Sequence, residues 1–205
     1  MDRFLISIHA LGALLFLVLP SAVEAQQDTE VCAPAEASLG RATDMKSYHR
    51  AIGSLVGCPV AGPRALATQW APPPVDTTAL RLLGDASATL RDRRLLRAAK
   101  SAALSRSNSR DVRLTAIRAL VGQFHPSLDV VYRTPSEPGL GGVAYVMLAE
   151  SDHRTDRAGA EPLAASGQDE VLNVLRQLGA SDGDEVIRKV SAYLVGRLPS
   201  FGGAK

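Results

Sequence analysis

Aromatic residues are scarce. They make up 4% of the 205-residue chain, and Trp70 is the only tryptophan. A core must therefore be aliphatic, and Leu, Val, Ile and abundant Ala permit the close approach of helix to helix. Cysteine is almost missing: Cys32 and Cys58 are the only two, and they do not form a CxxC pair, so a dithiol redox centre is not expected. Charge of one sign is missing as well. The formal net charge is +2, too mild to point to nucleic acid. No GxSxG, HExxH, P-loop or dinucleotide fingerprint occurs, so neither catalysis nor a cofactor is expected.

The one long apolar run is at the start. Arg3 precedes an apolar stretch from Phe4 to Leu19, Pro20 and Ser21 break it, and Val23-Glu24-Ala25 supplies small residues for cleavage. This is the pattern of a secretory signal peptide over residues 1–25. The competing reading is a membrane anchor, but the run falls short of the roughly 20 apolar residues needed to span. The mature chain then begins at Gln26. Without Arg3, Asp2 and Glu24, 22 basic and 19 acidic residues remain, a net charge of +3. No stable membrane insertion is expected after cleavage, and the destination is periplasmic or extracellular. Export places Cys32 and Cys58 where disulfides persist, and two cysteines allow one intramolecular pairing.

The stretch Ser109 to Phe124, SRDVRLTAIRALVGQF, organises the chain. Val112, Ala116, Leu120 and Phe124 recur every four residues, and Ile117 and Val121 widen the stripe, as expected for a helix packed on two sides. Arg110, Arg113, Arg118 and Gln123 occupy the polar positions. AIRALVG at Ala116–Gly122 returns as AIGSLVG at Ala51–Gly57 and as SAYLVG at Ser191–Gly196. Aligning Gly122 with Gly196 sets Val112 on Val186, Ala116 on Val190, Leu120 on Leu194 and Phe124 on Leu198. Gly84 to Gly122 is a step of 38 residues, and Gly122 to Gly196 is close to two such steps, a spacing that suits a helix–turn–helix repeat.

On DVRLTAIRALVG at Asp111–Gly122 and DEVIRKVSAYLVG at Asp184–Gly196, the chain resembles the HEAT-repeat family. The resemblance covers about two units. It implies an all-α fold of stacked antiparallel helix pairs, a short HEAT-like α-solenoid, and a role in binding other proteins. Residues 125–166 depart from the pattern and read as an irregular insertion.

The remaining segments divide around these units. Residues 26–71 form an N-terminal segment with the disulfide, containing helices at Asp44–Gly57 and Gly62–Ala71. Trp70 reads as a packing anchor, and Pro72-Pro73-Pro74 as a stiff linker. The repeat region spans 76–198, with helices ending near Gly84 or Ser87 and running from about Ala88 to Ser105. In the insertion, Asp129–Arg133 has the composition of a brief extended segment. Val143–Ala149 is short and apolar and leans to helix, although periodicity does not separate helix from buried strand. Gln168–Leu178 and Asp184–Leu198 form the last pair. Pro199 is expected to stop the final helix, leaving 199–205 as a frayed tail.

The expected function is an exported scaffold or adaptor that binds another protein, whose identity the sequence does not give. The expected contact residues are exposed arginines, Arg93, Arg97, Arg113 and Arg118. A solvated face is the plain alternative for the basic run around Arg93 and Arg97. The rival function is a small-molecule or metal-binding protein, or an enzyme, working through residues 125–160. Asp152, His153 and Asp156 are its weak metal candidates, with His125 as a conceivable fourth ligand. The DGDE run at Asp182–Glu185 lacks the spacing of a calcium loop and reads as a helix N-terminus.

Overall fold

The computed structural model describes residues 32–124, 128–133, 145–150 and 165–202. The expected signal peptide and the residues Asp152, His153 and Asp156 lie outside the described residues, as does His125.

The fold is helical, as expected. α1 occupies residues 32–40. It is followed by α2 (Met45–Val56), α3 (Ala61–Thr68), α4 (Thr77–Leu90), α5 (Arg93–Leu104) and α6 (Arg110–Phe124). A two-stranded antiparallel hairpin comes next, β1 (Leu128–Arg133) against β2 (Tyr145–Glu150), pairing Leu128 with Glu150 and Arg133 with Tyr145. α7 (Ala165–Ser181) and α8 (Glu185–Gly202) close the chain.

Aspartates start four of these helices by accepting hydrogen bonds from first-turn N–H groups that have no partner within the helix. Asp44 does so for α2, in a capping box with Ser47. Asp76 accepts from the amides of Thr78 and Ala79, and Asp92 from that of Arg94. Asp184 accepts from Val186 and Ile187.

The core is aliphatic. Leu55, Leu66, Leu83, Leu95, Ile117, Leu120, Leu175, Ile187, Leu194 and Leu198 are among its largest fully buried side chains. α6 lies at its centre, touching α4, α5, α7, α8 and β1. Its stripe Val112, Ala116, Leu120 and Phe124 is buried, and so are Val190, Leu194 and Leu198 at the matching positions of α8. Trp70 anchors the N-terminal helices: it is buried, and its indole N–H donates to Ser87 Oγ on α4 at 3.1 Å.

Helices two apart in sequence pack side by side. α2 meets α4, α4 meets α6 and α6 meets α8, while α3 meets α5 and α5 meets α7. Three contacts set the direction of α4 against α6. Gly84 faces Thr115, Asp85 pairs with Arg118, and Ala88 faces Gly122. Both chains advance together, so α4 and α6 run parallel. Lys100 reaches Glu170 and Arg106 reaches Ser181, which gives α5 and α7 the same relation. The N-terminal helices join this packing directly, so the triple proline does not set them apart.

Several expectations need correcting. The stretch after Cys32 is helix α1, where no helix was expected. The α4–α5 boundary falls at Arg91–Asp92, later than Gly84–Ala88, because Arg91 adopts a left-handed conformation (φ 46°) as C-cap and Asp92 starts the next helix. Gly84 is not a stop signal. It is a contact glycine inside a helix, as is Gly122, and a Cβ on either would overlap Thr115 or Ala88 respectively. Gly196 faces open space, so the matched glycines do different jobs. In the segment leaning to helix at Val143–Ala149, Tyr145–Ala149 is instead part of strand β2, paired with β1, and Val143 and Ala144 lie outside the described residues. Finally, α8 continues past Pro199 to Gly202: a proline removes one backbone hydrogen bond and weakens a helix without always ending it.

Candidate interaction surface

The four arginines expected at the surface have different fates. Arg93 and Arg97 are exposed on α5. Arg118 is only 20% exposed and bonds Asp85 at 3.0 Å, across the α4–α6 contact. Arg113 contradicts the expectation: it is buried, 4% exposed, and cannot meet a partner protein.

Arg113 is the centre of a latch between two turns. Its Nε donates to the carbonyl of Ala103 at the end of α5, at 2.9 Å. Its two terminal nitrogens fork onto the carboxylate of Asp182, which is itself 6% exposed in the α7–α8 turn. Asp182 also accepts from the amide of Asp184. Arg110 bonds Asp184 at 2.7 Å, and Arg106 donates to the carbonyl of Ser181. Arg188 donates to the carbonyl of Asp182. The bidentate geometry and the remaining hydrogen bonds offset the cost of taking two charges out of water. The Arg113 guanidinium, with help from the amide of Asp184 and the charge of Arg106, holds the Asp182 carboxyl below the usual carboxylate range, against the opposing effect of burial. At Asp184 burial pushes upward, but Arg110 and the amides of Ile187 and Val186 outweigh it. The DGDE run is therefore a helix start and a latch. Among the described residues no group of acidic, histidine or cysteine side chains is placed to hold a metal ion.

Cys32 and Cys58 are joined in a disulfide, with Cα atoms 5.8 Å apart. The bond ties the start of α1 to the turn after α2. No helix among the described residues is long and apolar enough to cross a membrane.

The most basic surface lies on α5. Its inner side, Leu95, Leu96, Ala99, Ala102 and Ala103, is buried. Its outer side presents Arg93, Arg94, Arg97 and Ser101. Asp92 holds Arg94 through two hydrogen bonds of 2.9 Å, and Glu170 on α7 holds Lys100 at 2.7 Å. On the neighbouring α3, Arg64 is held by Glu36 of α1 at 2.7 Å.

Two features escaped the sequence reading. The Arg113–Asp182 pair joins residues 69 apart, and nothing local announces it. Gln123, read as an outward polar position, is fully buried, and its side-chain amide has no hydrogen-bond partner among the described residues.

Compared with protein-family models, with curated proteins and with solved structures, the chain matches none of them.

Proposed function

We propose that this protein is an exported helical-repeat scaffold, a short HEAT-like α-solenoid that binds another protein through its outer helical surface and carries out no catalysis. The observation that carries the reading is the parallel register of alternate helices, Gly84 with Thr115 and Ala88 with Gly122 on one side, Lys100 with Glu170 on the other. Packing of this kind adds one helix pair at a time and extends a continuous outer surface, the property that stacked repeats use for recognition. The buried stripe shared by α6 and α8 agrees with it. Export is supported by the N-terminal pattern from Arg3 to Ala25 together with the disulfide.

The test is to immobilise the oxidised protein and capture binders from the exported fraction of its native host, with identification by mass spectrometry. A single reproducible partner, bound saturably by the purified protein, is the expected result. A cooperatively melting protein that captures nothing above background would count against a scaffold.

A further inference from the structure

The connection between α3 and α4 puts apolar surface where a plain turn needs none. Among the described residues the exposed large hydrophobic side chains are Val60 and Val75, and Val75 is exposed completely. Val75 follows Pro72, Pro73 and Pro74, three residues with carbonyls that accept hydrogen bonds and no N–H to donate. Pro72 and Pro73 each precede a proline, which disfavours helical backbone and leaves them extended, in the polyproline II range. That conformation has three residues per turn, so Pro72 and Val75 fall on one edge. The exposure follows the same period: Pro72 and Val75 are exposed, and Pro73 and Pro74 between them are half-buried. Both ends of the segment are fastened. Trp70 is buried and donates to Ser87 Oγ. Asp76, itself extended (φ −67°, ψ 128°), accepts from the amides of Thr78 and Ala79 at 2.9 Å. The edge is therefore held in one shape before any partner arrives, which spares the cost of ordering it on binding.

We propose that the edge formed by Pro72 and Val75 is a docking motif for a partner protein with an aromatic-lined groove. The proposal goes beyond the scaffold reading and does not depend on it, since it concerns a connection between helices and not the outer helical surface. Flat aromatic rings pack against the proline ring and the valine side chain, and indole N–H and phenol O–H groups supply the donors that proline carbonyls accept from. Strand addition is the wrong mode here, because three successive residues without N–H cannot donate to a ladder. A membrane surface is the poorer fit. Residues 69–80 contain no Lys or Arg, and their one charge is Asp76, whereas surface-bound segments add attraction to anionic lipid to their apolar contact.

The test places a photo-cross-linker at the edge. The oxidised protein carrying Val75→p-benzoylphenylalanine is irradiated in the exported fraction of its native host, and the adducts are mapped by mass spectrometry. Val75 is fully exposed, so this change and Val75→Ser should leave the fold intact, which thermal melts check. A single protein, cross-linked within a site that contains Trp or Tyr, is expected. The same label at Gln177, on the exposed side of α7, should not capture it. With that protein purified, Val75→Ser should weaken binding by about fivefold or more, and Pro72→Ser with Val75→Ser by about tenfold or more, the losses typical of anchoring interface residues. A decaproline peptide should displace the parent chain from it. No protein adduct, or an adduct with lipid alone, overturns the proposal. So does equal capture from Gln177, undiminished binding by the Val75→Ser chain, or failure of decaproline to compete. A partner captured by the immobilised protein and retained equally by Val75→Ser keeps the scaffold reading and overturns this motif alone.

Discussion

Arg113 and Asp182 show what one buried pair can hold. Removing one partner of a buried ion pair leaves a charge without compensation, at a cost of about 3–5 kcal/mol. Arg113→Met should therefore lower the melting temperature by roughly 6–20 °C in a chain of this size, measured by calorimetry. The pair also sets a pH dependence. The folded-state pKa of Asp182 lies below its unfolded value, so its stabilisation is complete above about pH 4 and is lost as pH falls through the folded value. Asp182→Asn should thus be less stable than the parent near neutral pH, and should lose less stability on acidification below about pH 4, a difference read from melts across pH. None of this was legible locally. A helical wheel places Arg113 and Gln123 outward by residue type, and only the turn brought in 69 residues later shows that Arg113 points inward.

At the scale of the element, glycines divide by what stands opposite them. Gly122→Ala drives a methyl group into Ala88, where two helix backbones meet, and should cost about 1–3 kcal/mol. Gly196→Ala meets nothing within 4 Å in α8 and should stabilise by up to about 1 kcal/mol through helix propensity alone. Chemical denaturation of the two variants checks the opposite signs. If both stabilised, the close α4–α6 approach would be refuted. The four-residue stripe of α6 was legible because burial and helical period coincide there. The end of α4 was not: a glycine inside a run of helix formers has the same letter whether it stops a helix or admits a neighbour. β2 was unreadable for another reason. Six residues of mixed apolar character fit one turn and a half of helix as well as a short strand, and the partner strand decides.

For the whole molecule, the disulfide and the packing order matter most. The Cys32–Cys58 bond closes a loop of 26 residues and should contribute about 3 kcal/mol by the chain-entropy account. The Cys32→Ser, Cys58→Ser chain should show a loss of this size in denaturant titrations under oxidising conditions, and reducing agent should lower the parent to the same level. The helical class was legible from composition and period, since scarce aromatics and abundant alanine leave few ways to fill a core. The direction of one helix against the next was not, because it resides in contacts such as Asp85 with Arg118 that couple neighbouring elements.

The latch has a consequence for how this chain can vary. Besides the peptide chain that leaves α6 and the packing of α7 and α8 on it, the last helix pair is held by Arg110 and Arg113 at the start of α6, which reach the α7–α8 turn. These contacts fix its position independently of the connecting chain. The place of the last helix pair is then set by contacts of its own and not by the length of the connection, and each doubling of a flexible loop costs only about 0.6 kcal/mol. Residues added between β2 and α7 should therefore cost the helices on either side little, whereas Leu128 and Val130 of β1, buried in the core, do not share that freedom.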